Sequence, residues 1–108
     1  MARQDLQGSF GMLVLKTLAW AGPLHGDGIV LHIQRASVEL LSVEKGSLYP
    51  ALNRKEQSGW ISSEWALTET KRRAKCYRRS AVGKMELYDA ENSFEQLVKG
   101  ARAVLRYA

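Results

Sequence analysis

The sequence predicts a mainly α-helical α+β domain in the order helix, helix, helix, β-hairpin, long helix. Three observations support this order. Apolar residues recur at helical spacings of three and four before residue 60, alternate with a period of two over about residues 60–67, and return at heptad spacing after about residue 81. With 108 residues, the chain is long enough for one domain.

The first two helices are predicted from apolar stripes. The first covers about residues 6–21, and Gly22-Pro23 ends it because the residue before a proline is displaced from helical geometry. The segment LHGDG is interpreted as a loop, and a second helix is expected over about residues 26–36. The stripes consist of Leu6, Phe10, Leu13, Val14, Thr17, Leu18 and Ala21 in the first helix, and of Ile29, Ile33 and Ala36 in the second.

A third helix is expected over about residues 46–58. Pro50 requires the helix to start near residue 46, so that the proline ring lies in or just after the first turn. Leu48 and Leu52 are four residues apart and form the inner face, and Ser58-Gly59 ends the helix. The outward side carries Lys45, Tyr49, Asn53 and Arg54.

A β-hairpin follows. Residues 60–67 alternate, with Ile61, Ser63, Trp65 and Leu67 on one side, and the polar bend TETKRRA leads to a return strand at about residues 75–80. The tip, about residues 68–76, is basic. Residues 71–84 hold seven of the 16 Lys and Arg residues and none of the 11 Asp and Glu residues, which favours an anionic partner over a merely solvated loop.

The last helix is predicted over about residues 81–107 and has an apolar heptad stripe. A helix of about 26 residues is roughly 39 Å long, whereas a domain of this size is only about 30 Å across. Part of the stripe therefore requires a second chain to cover it, and a homodimer is expected. The dimerisation residues are Leu87, Phe94, Leu97, Ala101 and Val104.

Three short helices and a basic hairpin are typical of a winged helix-turn-helix, in which a helix enters a DNA groove and the hairpin reaches the backbone. We therefore expect a DNA-binding domain at residues 1–80 and a dimerisation helix at residues 81–108. Double-stranded DNA and a second copy of the chain are the expected partners.

Four segments resemble the PadR family of bacterial transcriptional regulators: GPLHGDGIVLHIQ, GSLYPALNRKEQSGWISSEW, RRAKCYR and AVGKMEL. The resemblance covers nearly the whole chain from about Leu6. It implies a homodimeric repressor whose third helices read successive major grooves of a palindromic promoter site. The residues it places on DNA are Ser47, Tyr49, Pro50, Asn53 and Arg54 in the third helix, and Lys71, Arg72, Arg73 and Lys75 in the wing.

Some of these residues have a second interpretation from the sequence. Ser47 is also of a type that caps helix N-termini, and Tyr49 either bonds a phosphate through its hydroxyl or packs under the wing. Asn53 and Arg54 are of types that pair with adenine and guanine edges. The start of the second helix, near His25 and Gly26, is a further candidate for phosphate binding.

The chain departs from the family pattern at several positions. Asp27 replaces an aromatic residue, Lys55 replaces a leucine of the third helix, and Arg79 and Ser80 replace a leucine and a threonine near the end of the return strand. These changes raise a packing question, since a buried Lys55 is costly unless its ammonium group reaches water. They also motivate the alternative of a protein-interaction module that retained the fold.

The tryptophans suggest a ligand. Relatives in the family bind planar aromatic compounds near the dimer helices, and Trp20 is the candidate for such a pocket, with core packing of Trp20, Trp60 and Trp65 as the alternative. A ligand-sensing regulator with a small aromatic effector is thus a further functional hypothesis.

Other functions find little support in the sequence. His25 and His32 lack neighbours at ligand spacing, so no metal site is expected. Cys76 lies among basic residues, which permits a redox-sensing thiol, although a packed strand cysteine is the simpler interpretation. No catalytic constellation, cofactor motif, signal peptide or membrane-length apolar run is found, so a non-enzymatic cytoplasmic protein is expected.

Overall fold

The structure is a computed structural model that describes the backbone of residues 2–107 and the side chains of residues 9–107. The predicted contribution of Leu6 to the first stripe lies outside the described side chains. Within these residues the chain forms four helices and a three-stranded antiparallel sheet, which confirms the predicted fold class. The elements are α1 (Ala2–Ala21), β1 (Leu24–His25), α2 (Gly26–Ala36), α3 (Lys45–Gln57), β2 (Ile61–Leu67), β3 (Arg73–Arg79) and α4 (Ala81–Tyr107).

The hydrophobic core forms around α1, which contacts α2, α4 and β3. Because neighbours cover α1 on more than one side, Leu15 is buried although it lies outside the predicted stripe. Ala21 and Ala36, predicted on inner faces, are exposed at the ends of their helices, and that part of the prediction was wrong. The core side chains are Val14, Leu15, Leu18, Ile29, Ile33, Leu48, Leu52, Ile61, Tyr77 and Leu87.

The LHGDG segment contains a short strand that the sequence analysis interpreted as loop. Leu24 pairs with Tyr77 and His25 with Cys76, so that β1 joins the hairpin and the strand order is β1-β3-β2. A two-residue strand is too short to show periodicity, and it exists here because β3 offers it a free edge. Because β1 pairs with the central strand β3, the start of α2 is held against the centre of the sheet.

Helix α3 begins at Lys45, close to the predicted residue 46, with Glu44 as its N-cap. Ser47 therefore lies inside the helix, and the alternative that it is the N-cap was wrong. Pro50 is the sixth residue of the helix, where its missing N–H leaves the carbonyl group of Gly46 without a helical donor. Gly46 is exposed, so water is available to that carbonyl group.

The hairpin closes through a turn at residues 68–72, where the N–H of Thr68 donates to the carbonyl oxygen of Arg72 at 2.8 Å. Strand β3 starts at Arg73, two residues earlier than predicted, and Leu67 is its partner on β2. Arg73 and Lys75 are thus strand residues rather than tip residues. Their side chains lie on the face that packs towards α3, together with buried Tyr77.

Ser80 joins the hairpin to α4. Its hydroxyl group donates to the carbonyl oxygen of Gly59 at 2.6 Å and accepts from the N–H of Gly83 at 3.0 Å, so this departure from the family pattern caps the helix. Gly83 is buried against the carbonyl oxygen of Trp60, where an added Cβ would overlap with the backbone. Helix α4 can approach the hairpin this closely because position 83 carries no side chain.

Helix α4 packs on α1. Leu87 is buried, and the ammonium nitrogen of Lys16 lies 3.1 Å from the carboxylate of Glu91. Beyond Glu91 most apolar side chains of α4 are exposed, with Val98 half-buried, and the molecule is 55 Å long but only 28 Å and 22 Å across. Among the residues that the structure describes, no helix is long and apolar enough to cross a membrane.

Candidate nucleic-acid interface

The outward face of α3 carries the side chains that the sequence assigned to it. Leu48, Ala51 and Leu52 are buried against the core, which turns the opposite side of the helix to solvent. The exposed residues on that side are Ser47, Tyr49, Pro50, Asn53 and Arg54. An exposed polar helix face of this kind can enter a DNA major groove, which is wide enough to admit an α-helix.

A cleft of about 740 Å³ separates this face from the hairpin, and we call it the α3–hairpin cleft. Its walls come from three elements that are distant in sequence. It is lined by His25, Gly26 and Asp27 at the start of α2, by Tyr49, Pro50 and Asn53 of α3, and by Trp65, Arg73, Ala74, Lys75 and Tyr77 of the hairpin. The predicted helix and wing residues therefore meet at one surface.

Tyr49 holds α3 against the start of α2. Its ring and hydroxyl lie over Gly26, where an added Cβ would be 2.8 Å from the hydroxyl oxygen and 2.9 Å from the ring. Gly26 is buried beneath Tyr49, yet the tyrosine side chain remains half-exposed at the cleft. Both roles considered for Tyr49 are thus compatible with its position: it packs on α2 and presents a surface to the cleft.

Asp27 brings a negative charge to the rim of the cleft. Its carboxylate lies 3.2 Å from the ammonium nitrogen of Lys45 at the start of α3. Both side chains are largely exposed, so the pair contributes little to stability. Its effect is to balance the charge that this departure introduces beside the outward face of α3.

Trp65 is a cleft residue that the sequence analysis did not assign to the site. Its side chain is exposed, and the guanidinium carbon of Arg73 lies 5.3 Å from its ring centroid, which is a cation–π arrangement. The alternation of β2 placed Trp65 on the same side as buried Ile61, and this was the signal that could have identified it. Lys71 and Arg72 are exposed at the turn next to this pair.

Lys75 differs from Lys71, Arg72 and Arg73 because it forms an ion pair. Its ammonium nitrogen lies 3.2 Å from a carboxylate oxygen of Glu56, near the end of α3. The other oxygen of that carboxylate accepts a hydrogen bond from the Ser63 hydroxyl on β2. The Ser63 hydrogen bond, helped by Lys75, holds the pKa of Glu56 below its ordinary value against the opposing effect of burial.

This lowered pKa makes the stability contribution of Glu56 depend on pH. A carboxylate with a depressed folded-state pKa stabilises the fold above its unfolded-state pKa, about 4.3, and this stabilisation is lost as the pH falls through the folded-state pKa. We expect Glu56→Gln to lower the free energy of unfolding by about 1 kcal/mol at neutral pH, and the difference to shrink as the pH falls below about 4.3. Denaturant unfolding of both proteins at one protein concentration measures it. A difference that stays constant as the pH is lowered through the acid range would contradict the assignment.

The structure also answers the packing question raised by Lys55 and Arg79. The aliphatic part of Lys55 lies on Gly11 of α1, and its ammonium nitrogen is 5.1 Å from the ring centroid of Trp60. Burial, followed by the nearby charge of Arg54, lowers the pKa of Lys55. The side chain of Arg79 extends over the start of α4, where its Cγ would be 3.0 Å from a Cβ added at Gly83.

Trp20 lies away from the α3–hairpin cleft. Its side chain is 78% exposed, so the core-packing alternative was wrong for this residue. The ring lies 5.2 Å from that of His32, centroid to centroid, at the edge of a shallow cavity of about 450 Å³ between α1 and α2. Trp60, by contrast, is half-buried against the core, while Trp65 lies in the cleft.

The remaining candidates from the sequence have local structural roles. Cys76 is half-buried on β3, the central strand, where it pairs with His25 of β1. Within the described part of the chain, no group of three His, Cys, Asp or Glu residues is arranged to hold a metal ion.

Comparison with known proteins gives one family. The model of the transcriptional regulator PadR-like family matches residues 14–89. A transcriptional regulator from Clostridium thermocellum superposes with a TM-score of 0.84 at 26% identity, covering 93% of this chain and 96% of that one. A PadR family regulator from Eggerthella lenta gives a TM-score of 0.80 at 28% identity, covering 97% and 88%.

One further similar structure contains DNA. PadR from Bacillus subtilis in complex with operator DNA superposes with a TM-score of 0.65 at 26% identity, over 74% of this chain and 44% of that one. No curated protein matches the chain significantly.

Proposed function

The chain belongs to the PadR-like family of transcriptional regulators, which are not enzymes, and on that premise we propose that it is a homodimeric repressor that binds a palindromic promoter site. In this proposal α3 enters the major groove and the hairpin contacts the neighbouring backbone. The observation that carries the proposal is the α3–hairpin cleft, where an exposed polar helix face and a basic strand stand side by side.

The contacts divide into two kinds. Base contacts specify the sequence, and Asn53 and Arg54 are exposed on α3 with side chains that pair with adenine and guanine edges. Ser47, Tyr49 and Pro50 complete the DNA-facing side of the helix. Phosphate contacts determine the salt dependence of the affinity, and the residues that suit them are Lys71, Arg72 and Arg73 at the exposed end of the hairpin.

A second copy of the chain is proposed to cover α4. The exposed part of the apolar stripe comprises Phe94, Leu97, Ala101 and Val104, all of which follow Glu91, the residue that pairs with Lys16 of α1. Leu87, also predicted at the dimer interface, is buried in the core of its own chain and is therefore not available to a second copy. The chain would then divide functionally into a DNA-binding part at residues 1–80 and a dimerisation helix at residues 81–108.

The DNA site that matches this arrangement is an inverted repeat. Two copies of α3 related by a twofold axis reach half-sites about 34–36 Å apart, one turn of DNA. The twofold symmetry of the dimer therefore requires the same twofold symmetry in the DNA site.

An aromatic effector is a second element of the proposal. The exposed Trp20 and the ring of His32 form an open aromatic surface beside an apolar cavity. A planar compound could stack there, since aromatic rings associate in offset or tilted geometries.

Selection of bound duplexes from a random DNA pool tests the proposed function. We expect enrichment of an inverted repeat, and for Asn53→Ala a relaxed preference at one position in each half-site, because one base contact contributes about 1–3 kcal/mol of discrimination. If no sequence is enriched, the protein-interaction alternative is supported instead.

A further inference from the structure

Glu56 connects the three elements that form the DNA-facing side of the molecule. It lies in the last turn of α3, accepts a hydrogen bond from Ser63 of β2, and pairs with Lys75 of β3 at 3.2 Å. The side chains of Glu56 and Lys75 are only 30% and 37% exposed, so both are partly withdrawn from solvent. We call Glu56, Ser63 and Lys75 the Glu56 brace.

The brace gives Lys75 a different environment from that of Lys71, Arg72 and Arg73. Exposure increases along this face of β3, from buried Tyr77 through half-buried Lys75 to exposed Arg73. The ammonium nitrogen of Lys75 lies 5.8 Å from the Tyr77 ring centroid and points back towards α3, whereas Arg73 lies over Trp65. Among the basic side chains from Lys71 to Lys75, Lys75 is the one held by a carboxylate.

We propose that Glu56 is a positioning residue for DNA recognition: it holds Lys75 against α3, fixes the hairpin relative to that helix, and withholds Lys75 from DNA phosphates. This inference rests on the proposed function. It assigns Lys75, which the sequence placed on DNA, to the connection between helix and hairpin.

The reason for such a brace lies in the two kinds of contact. The hairpin positions the protein on the backbone, while α3 reads bases, so the offset between them selects the register in which both contacts form. A loose hairpin still binds phosphate, because that attraction does not depend on sequence. Loss of the brace is therefore expected to reduce discrimination more than overall affinity.

The salt dependence of binding distinguishes this role from a direct contact. For duplex DNA, each phosphate contact changes the slope of log K against log salt by about 0.9. Lys75→Gln is expected to leave the slope unchanged, since Lys75 makes no phosphate contact in the wild type. Glu56→Gln keeps a hydrogen-bonding group next to Ser63 but releases the Lys75 ammonium, so the slope is expected to steepen by about 0.9.

Specificity provides the second readout. Both variants are expected to lose about tenfold in the ratio of affinities for the selected duplex and a scrambled duplex of the same composition, comparable to one mismatched base pair. The probes are these two duplexes, and the measurement is a binding titration over a series of salt concentrations with the full-length protein.

Glu64→Gln is the matched control. It removes the same charge, but from β2 and on the face of the hairpin that points away from α3, where Glu64 forms an exposed pair with Arg78 at 3.5 Å. We expect its slope and specificity ratio to equal those of the wild type. An equal steepening in Glu64→Gln would show that net charge alone explains the Glu56→Gln result, and would overturn the proposal.

The outcomes separate this inference from the proposed function. A slope that becomes shallower by about 0.9 in Lys75→Gln would show a phosphate contact and overturn the brace, while DNA binding itself stands. Wild-type protein that does not prefer the selected duplex would instead contradict the proposed function. If Glu56→Gln unfolds, Lys75→Gln alone decides, because the brace and the direct contact predict different slopes for it.

Discussion

Replacing Leu97 and Val104 together by glutamate is expected to produce a monomer and to weaken operator binding by about 100-fold. The two side chains are 59% and 70% exposed and lie seven residues apart on the apolar stripe of α4. A dimer buries them, and four glutamates in one interface would carry unpaired charge out of water. A monomer engages one half-site at a time and loses the gain of roughly 10²–10⁴ that two linked contacts provide.

Sedimentation velocity measures the oligomeric state, and a titration with the selected duplex measures affinity. Gln96→Glu with Ala103→Glu is the control, since it adds the same charge at the same seven-residue spacing, at exposed positions about 100° around α4 from Leu97 and Val104. We expect this control to remain dimeric. A dimeric Leu97 and Val104 double variant would refute the assignment of α4 to dimerisation.

Replacing Arg72 and Arg73 together by alanine is expected to flatten the salt dependence of DNA binding by about 1.8 in slope. Both side chains are exposed at the end of the hairpin, and each is proposed to make one phosphate contact worth about 0.9. Affinity should fall for selected and scrambled duplexes alike, because phosphate contacts carry no direct sequence information.

Titrations over a salt series measure this effect. Arg78→Ala is the control, because Arg78 lies on the other face of β3 and pairs with Glu64. It is expected to leave the slope unchanged. If the Arg72 and Arg73 variant binds with the slope of the wild type, the hairpin does not contact the DNA backbone.

The element order was predictable because the signals that define it are local. The periodicity of α2 and α4 placed their ends correctly at residues 26–36 and 81–107, and α3 was displaced by a single residue. Gly59, with φ of +79°, follows α3 as expected for a glycine past a helix end. The segments that resemble the family also identified it correctly, and the family match covers residues 14–89.

The errors occurred where a residue depends on a neighbour that is distant in sequence. β1 exists because β3 lies beside it, and Leu15 is buried because α1 has several neighbours. Lys55 is accommodated because Gly11 of another helix leaves room for its stem. These contacts join residues that are far apart in the sequence, so they produce no periodicity or motif in either segment.

The helices, the hairpin, the position of the positive charge and the family could all be predicted from the sequence alone. Periodicity, prolines and charge density are properties of contiguous residues, and they can be read without coordinates. Which of the basic side chains are exposed depends on packing. Lys71, Arg72, Arg73 and Lys75 look equivalent in the sequence, but only packing brings Glu56 of α3 within 3.2 Å of Lys75 and leaves the other three exposed. An ion pair between residues 19 positions apart depends on how α3 lies against the sheet, and that arrangement results from the core as a whole.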